Sequence, residues 1–199
     1  MDQPLRRTSR APRINLLLVL SFLAAIVSFS CSGSRPSWSV QRPERLHDLQ
    51  NLAIAPMMIH SFGYDSGLAY DGTTMPFGIL QSRLRRSFVP VLFPVSAFEG
   101  LRRVPSVDEV MRAGVGREKF DAIVFADFRY LAAGQHVRVE LRLRVIDAED
   151  RGTIAEIDAA DEGSMAGVGG LQSETQLAVE TVVEIAVRRL EIYRPHRPK

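Results

Sequence analysis

The chain has 199 residues, of which 46% are hydrophobic, and it carries a formal net charge of +2. Residues 1–30 contain four arginines and one aspartate, so the remainder holds 21 basic and 22 acidic residues and has a net charge of about −1. This balance excludes the basic body on which nucleic-acid binding depends, and the single cysteine excludes an internal disulfide.

The first 30 residues have the order of a secretory signal peptide. Four arginines precede an uncharged, largely apolar run over residues 14–29, and small polar residues follow it. Cys31 lies at the exit of this run, where a bacterial lipoprotein accepts a diacylglycerol on its thiolate before the leader is removed. We therefore predict a signal peptide over residues 1–30 and a lipid anchor, with palmitate, on Cys31.

Two placements in the envelope stay open. The apolar run of roughly 16 residues is just shorter than the ~17–25 that span a bilayer, so the alternative is an uncleaved N-terminal helix that anchors the chain in the inner membrane. Ser32 follows the cysteine, where aspartate would retain the protein at the inner membrane. We therefore favour the periplasmic face of the outer membrane.

Residues 31–49 have the composition of a flexible tether. Serine and proline recur in this stretch and apolar residues are few, as is typical of disordered linkers. Trp38 is the exception. Two interpretations of it are open, because it can pack on the domain or lie at a membrane surface.

The folded part is predicted to begin near residue 50. An apolar run from Asn51 to Pro56 is typical of a buried strand that ends in a turn. Residues 60–74 are rich in Gly, Ser and Asp and predict a long loop, which is often an interaction surface. We take its three aromatic residues as candidate partner-binding residues, with a loop of no function as the alternative: Phe62, Tyr64 and Tyr70.

Two helices and an edge strand are predicted next. Pro76 begins a helix with an apolar stripe that recurs at helical spacing from Phe77 to Phe88. Residues 89–95 predict a strand, which two prolines place at an edge. Ser106 and Glu109 form a capping-box signature at the start of a short helix that ends near residue 114.

The strongest strand patterns follow. Residues 121–127 form an apolar run, and residues 136–145 alternate strictly, which predicts a strand with one solvated face. Residues 153–157 return as its hairpin partner, residues 161–170 form a glycine-rich loop, and a helix closes the chain over residues 172–193. Three arginines share the solvated face as candidate contacts to an acidic partner or phosphate-bearing lipid, or as an ordinary solvated surface: Arg138, Arg142 and Arg144.

These elements predict an α/β (α+β) fold. The alternation favours a single mixed β-sheet of about five strands with three flanking helices, in one domain over residues 50–194 with a tail at 195–199. The four histidines are scattered without metal-ligand spacing, and no nucleophile elbow or phosphate loop is completed. We therefore expect a protein that is not an enzyme and holds no metal or cofactor.

Three stretches resemble one small α/β domain of bacterial envelope proteins. They are residues 52–56, an apolar strand that ends in proline, residues 120–128, and the hairpin over residues 139–152. The domain is that of the curli secretion-channel (CsgG-like) lipoproteins, of the lipoproteins that activate penicillin-binding proteins (LpoB-like), and of the TolB amino-terminal domain. The likeness covers roughly residues 50–193. It indicates the fold of this domain better than its function.

The resemblance implies a lipid-anchored periplasmic module that binds another envelope protein during assembly, secretion or cell-wall synthesis. A subunit of an oligomeric secretion complex is the alternative. The chain lacks the long segments that a secretion channel inserts as membrane-spanning strands, which argues against a complete pore. A homo-oligomer stays open as a partner arrangement.

Overall fold

The computed structural model describes residues 37–61, 64–69, 74–98, 100–114, 119–133, 136–164 and 170–193. The predicted leader, the lipidation at Cys31 and the tail at 195–199 lie outside these residues. Within them, thirteen elements follow one another in this order: β1 (Trp38–Val40), α1 (Pro43–Asp48), β2 (Asn51–Ile54), β3 (Met57–Ser61), β4 (Tyr64–Ala69), α2 (Met75–Leu84), β5 (Val89–Leu92), a 3₁₀ helix (Val95–Phe98), α3 (Val107–Gly114), β6 (Ala122–Ala133), β7 (His136–Asp147), β8 (Thr153–Ser164) and α4 (Gly170–Glu191).

The long strand β6 organises the sheet. Its first half pairs in parallel with β2, and its second half pairs in parallel with β3, so β2 and β3 run along it one after the other. Its other edge pairs with β7 over the full length of both strands. The strand order is β1-β8-β7-β6-β2-β5, with β4 paired to β3. Parallel and antiparallel pairs share this sheet, which makes it mixed.

Apolar side chains cover the first face of the sheet completely. The apolar stripe of β7 packs there with the stripes of α2 and α4, and burial of such a face is the main driving force for folding. Val139, Leu141 and Leu143 of β7 are at most 1% exposed, as are Phe77 in α2 and Val182 in α4. The predicted apolar faces of these three elements are confirmed.

The second face of the sheet has an apolar part and a polar part. At the end of the sheet where β6 begins, Ile123, Phe125 and Ile146 pack with Val110 of α3 and Phe98 of the 3₁₀ helix in a smaller core. Further along β6, β7 and β8, charged side chains alternate with the buried stripe and stay partly exposed. The fold therefore leaves a polar half-face between the sheet and solvent.

The fold class is confirmed, but the described residues contain eight strands and four α-helices rather than five and three. The predicted tether over residues 31–49 extends too far. Leu46 and Leu49 are at most 1% exposed, and β1 pairs with β8, so Trp38–Asp48 already belong to the folded domain. Burial of Leu46 on this short helix and of Leu49 directly after it outweighs the polar composition around them.

The predicted loop over residues 60–74 is wrong at its beginning. β3 and β4 form an antiparallel hairpin there, with Ser61 opposite Tyr64. Gly, Asp and Ser weaken strand propensity, but that propensity depends strongly on context, and β3 offers a ready ladder of backbone partners. The glycine-rich loop also begins later than predicted, because β8 continues to Ser164.

Candidate functional site

The polar half-face is defined by eight residues of four adjacent strands. In register, Asp127 of β6 lies opposite Arg142 of β7, which lies opposite Asp158 of β8. Successive strand residues point to opposite faces, so every second residue joins the same surface. We call this surface the polar face: His60, Asp127, Arg129, Arg138, Glu140, Arg142, Asp158 and Glu162.

Arg142 and Asp158 form a pair at the centre of the polar face. Arg142 Nε donates to Asp158 Oδ1 at 2.9 Å, and the hydroxyl of Ser37 donates to Oδ2 at 2.8 Å. Burial alone raises the pKa of Asp158, but the hydrogen bonds from Arg142 and Ser37 outweigh it and lower that pKa below its ordinary value. Asp158 is therefore an anion at neutral pH.

Arg138 links two carboxylates on neighbouring strands. Its Nε donates to Glu140 at 2.9 Å, and Nη1 lies 3.4 Å from Glu162. The Arg138 side chain is only 18% exposed, whereas Glu162 is 55% exposed. The pair to Glu140 thus lies deeper in the surface than the pair to Glu162.

Asp127 lies between a histidine and an arginine on the polar face. His60 Nε2 is 3.3 Å from Asp127 Oδ1, and Arg129 Nη2 is 3.4 Å from Oδ2. Oδ1 is buried, yet it accepts no hydrogen bond from the described residues. The imidazole of His60 is therefore the group that faces this buried oxygen.

Arg144 marks the border between the polar face and the smaller core. Its guanidinium carbon lies 5.8 Å from the centroid of the Phe125 ring, within the range of a cation–π contact. Arg144 is exposed while Phe125 is 5% exposed. The arginine therefore covers the last apolar ring before the charged rows begin.

The polar face is balanced in charge. Its three arginines are each within ion-pair distance of a carboxylate, so it is not a net basic patch. Among the residues that the structure describes, no three His, Cys, Asp or Glu side chains converge as they do around a metal ion. In protein interfaces, interleaved charges of this kind set orientation and specificity.

Two clefts flank α3 on the other part of this side of the domain. One of about 530 Å³ is lined by Asp108, Met111, Arg112 and Arg151. The second, of about 370 Å³, is lined by eight residues that include Arg45, Asp121 and Glu149. Charged side chains of both clefts are paired, Arg45 with Asp147 at 2.6 Å and Arg151 with Asp108 at 2.8 Å.

A cluster of aromatic and cationic side chains lies around Trp38, at the edge of the sheet that β1 forms. Trp38 is 44% exposed. Its ring centroid is 5.9 Å from that of Tyr193, and the guanidinium carbon of Arg189 lies 5.9 Å from the Trp38 centroid. Of the two interpretations of Trp38, packing on the domain is therefore observed, although nearly half of the side chain stays exposed.

The predicted partner-binding residues fall into two groups. Arg138, Arg142 and Arg144 lie on one side of the sheet, as the alternation predicts. Tyr64 begins β4, whereas Phe62 and Tyr70 lie outside the described residues. A role in partner binding stays a prediction for all six.

Three carboxylates of the polar face were missed at the sequence level: Asp127, Asp158 and Glu162. Their signal is a period-two pattern that continues beyond the predicted strands. Asp127 and Arg129 alternate with buried Phe128 and Tyr130, and Asp158 follows buried Ile157 in the same way. Extension of both strands along this alternation would have placed the acidic residues beside the arginines.

No protein-family model and no curated protein sequence matches the chain. Solved structures do resemble it. The PelC dodecamer from Paraburkholderia phytofirmans matches with 13% identity and a TM-score of 0.45, over 75% of this chain and 96% of that one. Lipoprotein GNA1162 from Neisseria meningitidis matches with 17% identity and a TM-score of 0.44, over 69% and 98%.

The LpoB C-terminal domain from Salmonella enterica matches with 11% identity and a TM-score of 0.33, over 56% of this chain and 82% of that one. Identities and TM-scores this low assign neither a family nor a role to this chain. The predicted resemblance to the CsgG and TolB families stays a prediction. None of the helices in the described part of the chain combines the length and apolar character needed to cross a bilayer.

Proposed function

We propose that this protein is a bacterial envelope lipoprotein, anchored through lipid on Cys31, whose single α/β domain binds another envelope protein through the polar face. The role is that of a binding module without catalysis. One observation carries the proposal. Three twelve-residue strands present interleaved, partly buried charges of both signs on a half-face that the smaller core leaves uncovered.

The balance of charge supports a protein partner. A nucleic acid or a bare anionic surface requires an excess of cations, whereas the arginines here are already opposed by carboxylates. Paired charges at a protein surface contribute orientation and rejection of wrong partners.

Site-specific photo-cross-linking in living cells tests the binding surface. A photoreactive amino acid is placed at Arg142 on the polar face or at Leu177 on α4, which is 60% exposed and serves as the matched control. We expect an adduct of one defined mass from position 142 and none from 177. Equal adducts from both positions, or none from either, contradict the proposal.

The adduct mass also separates the two forms of the proposal. An adduct of twice the protein mass identifies a second copy and favours the oligomeric secretion subunit, whereas any other mass identifies a different envelope protein. The anchor has its own test. Incorporation of radiolabelled palmitate that disappears in Cys31→Ala supports it, and unchanged labelling contradicts it.

A further inference from the structure

The exposed side chain of Trp38 is held in place by its neighbours. β1 pairs with β8, which places Trp38 opposite Ile157 and fixes its backbone at the sheet edge. Tyr193 packs on one side of the indole, with a tilt of 52° between the rings, and Arg189 lies over it. The exposed part of the indole is therefore held in one orientation.

The composition of this surface matches that of a membrane interface. Trp and Tyr rings settle at the headgroup level, where one end is apolar and the other is wet. Ile192, next to Tyr193, is 69% exposed and adds apolar area. The exposed aromatic and aliphatic groups are therefore better accommodated in the headgroup region of a bilayer than in water.

The last turn of α4 carries two arginines, of which Arg189 lies over the Trp38 ring. Arg189 has a buried Nη1 with no hydrogen-bond partner among the described residues, and the Arg188 side chain is 73% exposed. Guanidinium groups match phosphate geometry, and the sequence continues beyond Tyr193 with three more cations, Arg194, Arg197 and Lys199. Basic groups beside an anionic lipid surface are attracted to it.

The short chain between Cys31 and Trp38 indicates which side of the domain lies near the membrane. Trp38 lies seven positions after Cys31, and an extended chain of seven residues spans at most about 25 Å. A lipid on Cys31 thus keeps Trp38 within that distance of the bilayer. No other residue of the described domain except Ser37 is tied to the anchor by so short a chain.

We infer that the surface formed by Trp38, Arg189, Ile192 and Tyr193 rests on the membrane and binds phosphate-bearing lipid headgroups. This rests on the proposed function only for the anchor at Cys31. The lipid would hold the protein at the bilayer, and the Trp38 surface would set which side of the domain faces it. The polar face, on a different part of the domain, then meets its partner in a fixed orientation.

The chain provides its own reporter, because Trp38 is the only tryptophan. The full-length protein is reconstituted into vesicles of phosphatidylglycerol and phosphatidylcholine that carry brominated acyl chains. We expect Trp38 emission to shift to shorter wavelength and to lose most of its intensity, with little quenching by aqueous iodide. Arg189→Gln is expected to weaken the effect, as are vesicles without phosphatidylglycerol.

A double variant, Trp38→Phe with Leu177→Trp, moves the reporter from β1 to an exposed position on α4 that lies about three helical turns before Arg189. Its emission should stay accessible to iodide and escape the bromine. Equal quenching at the two positions overturns the inference, because the domain then has no preferred side. Protection of Trp38 that depends on protein density and not on lipid composition also overturns it, in favour of contact with a second copy.

The intact mass of the purified protein reports separately whether Cys31 carries lipid. An unmodified cysteine with the leader retained contradicts the proposed anchor. The comparison of positions 38 and 177 still decides the orientation in that case, because the protein remains in the vesicle. The two failures are therefore distinguishable.

Discussion

Arg45 donates two hydrogen bonds to the carboxylate of Asp147, from Nε to Oδ2 at 2.6 Å and from Nη2 to Oδ1 at 3.0 Å. The two residues are 102 positions apart, on α1 and at the end of β7. The backbone N–H of Glu149 donates to the same carboxylate. This bidentate pair joins the first helix of the domain to the hairpin between β7 and β8.

Asp147→Asn should destabilise the domain by about 1–3 kcal/mol, the range for loss of hydrogen bonds to a buried charged group. Asp147 is 1% exposed, so its carboxylate depends on its protein partners. The Arg45 side chain is 35% exposed and can regain water, which keeps the loss below that of a fully buried pair. Urea denaturation followed by circular dichroism measures the change in free energy of unfolding.

Asp150→Asn is the matched control for this prediction. Asp150 lies in the same turn and pairs with Arg42, but it is 51% exposed. Exposed pairs contribute little to stability because water screens them, so this variant should unfold close to wild type. Equal losses in the two variants would show that burial of Asp147 is not what matters.

The same pair predicts an acid-dependent loss of stability. The hydrogen bond from Arg45 lowers the pKa of Asp147 below its ordinary value of 3.8. A carboxyl group with a lowered folded pKa stabilises the protein above its unfolded pKa and loses that contribution as pH falls through the folded value. The difference in unfolding free energy between wild type and Asp147→Asn should be constant from pH 7 to about 5 and shrink below pH 4. A difference that grows on acidification would contradict the assignment.

Adjacent residues on β7 should respond very differently to alanine. Leu141 is 1% exposed in the main core, and Leu141→Ala is expected to cost about 2–5 kcal/mol from lost burial and the cavity left behind. Arg142 is 56% exposed and pairs with Asp158, so Arg142→Ala should cost less than about 1 kcal/mol. Thermal and urea unfolding of the two variants measure the contrast. If the proposed function is right, Arg142→Ala should weaken partner binding while the fold stays intact.

Much of the fold is predictable from the sequence because its signals are local. The alternation of β7, the apolar stripe of α4 and the capping box each need only neighbouring residues. The box forms as predicted, with Glu109 N–H donating to Ser106 Oγ at 3.3 Å and Ser106 N–H donating to Glu109 Oε2 at 2.7 Å. Together with the Arg103 guanidinium, these bonds lower the pKa of Glu109 to about 2.

The elements that sequence reasoning misses depend on distant partners. β1 exists because three residues pair with β8, more than 110 positions away, and β4 exists because β3 offers an edge. The candidate site follows the same rule. Three arginines are visible as one stripe, but their carboxylate partners on β6 and β8 become neighbours only through the register of the sheet.

Tyr130 predicts a loss of stability at alkaline pH. Its side chain is 8% exposed among apolar groups of the main core, and burial raises its pKa to about 12 from the ordinary value of 10.0. Between these values the unfolded chain releases a proton that the folded protein keeps, so stability falls as pH rises. The loss approaches roughly 2–3 kcal/mol near pH 12, since each pKa unit corresponds to ~1.4 kcal/mol.

Tyr130→Phe isolates this contribution from the other groups that titrate in the same range. The variant should follow wild type from pH 7 to about 9 and lose less stability above pH 10. Urea unfolding at each pH gives the two curves, and absorbance near 295 nm gives the ionisation of Tyr130 as the difference between the proteins. Parallel curves up to pH 12 would mean that Tyr130 ionises as readily in the folded state as in the unfolded chain, and that its hydroxyl reaches water.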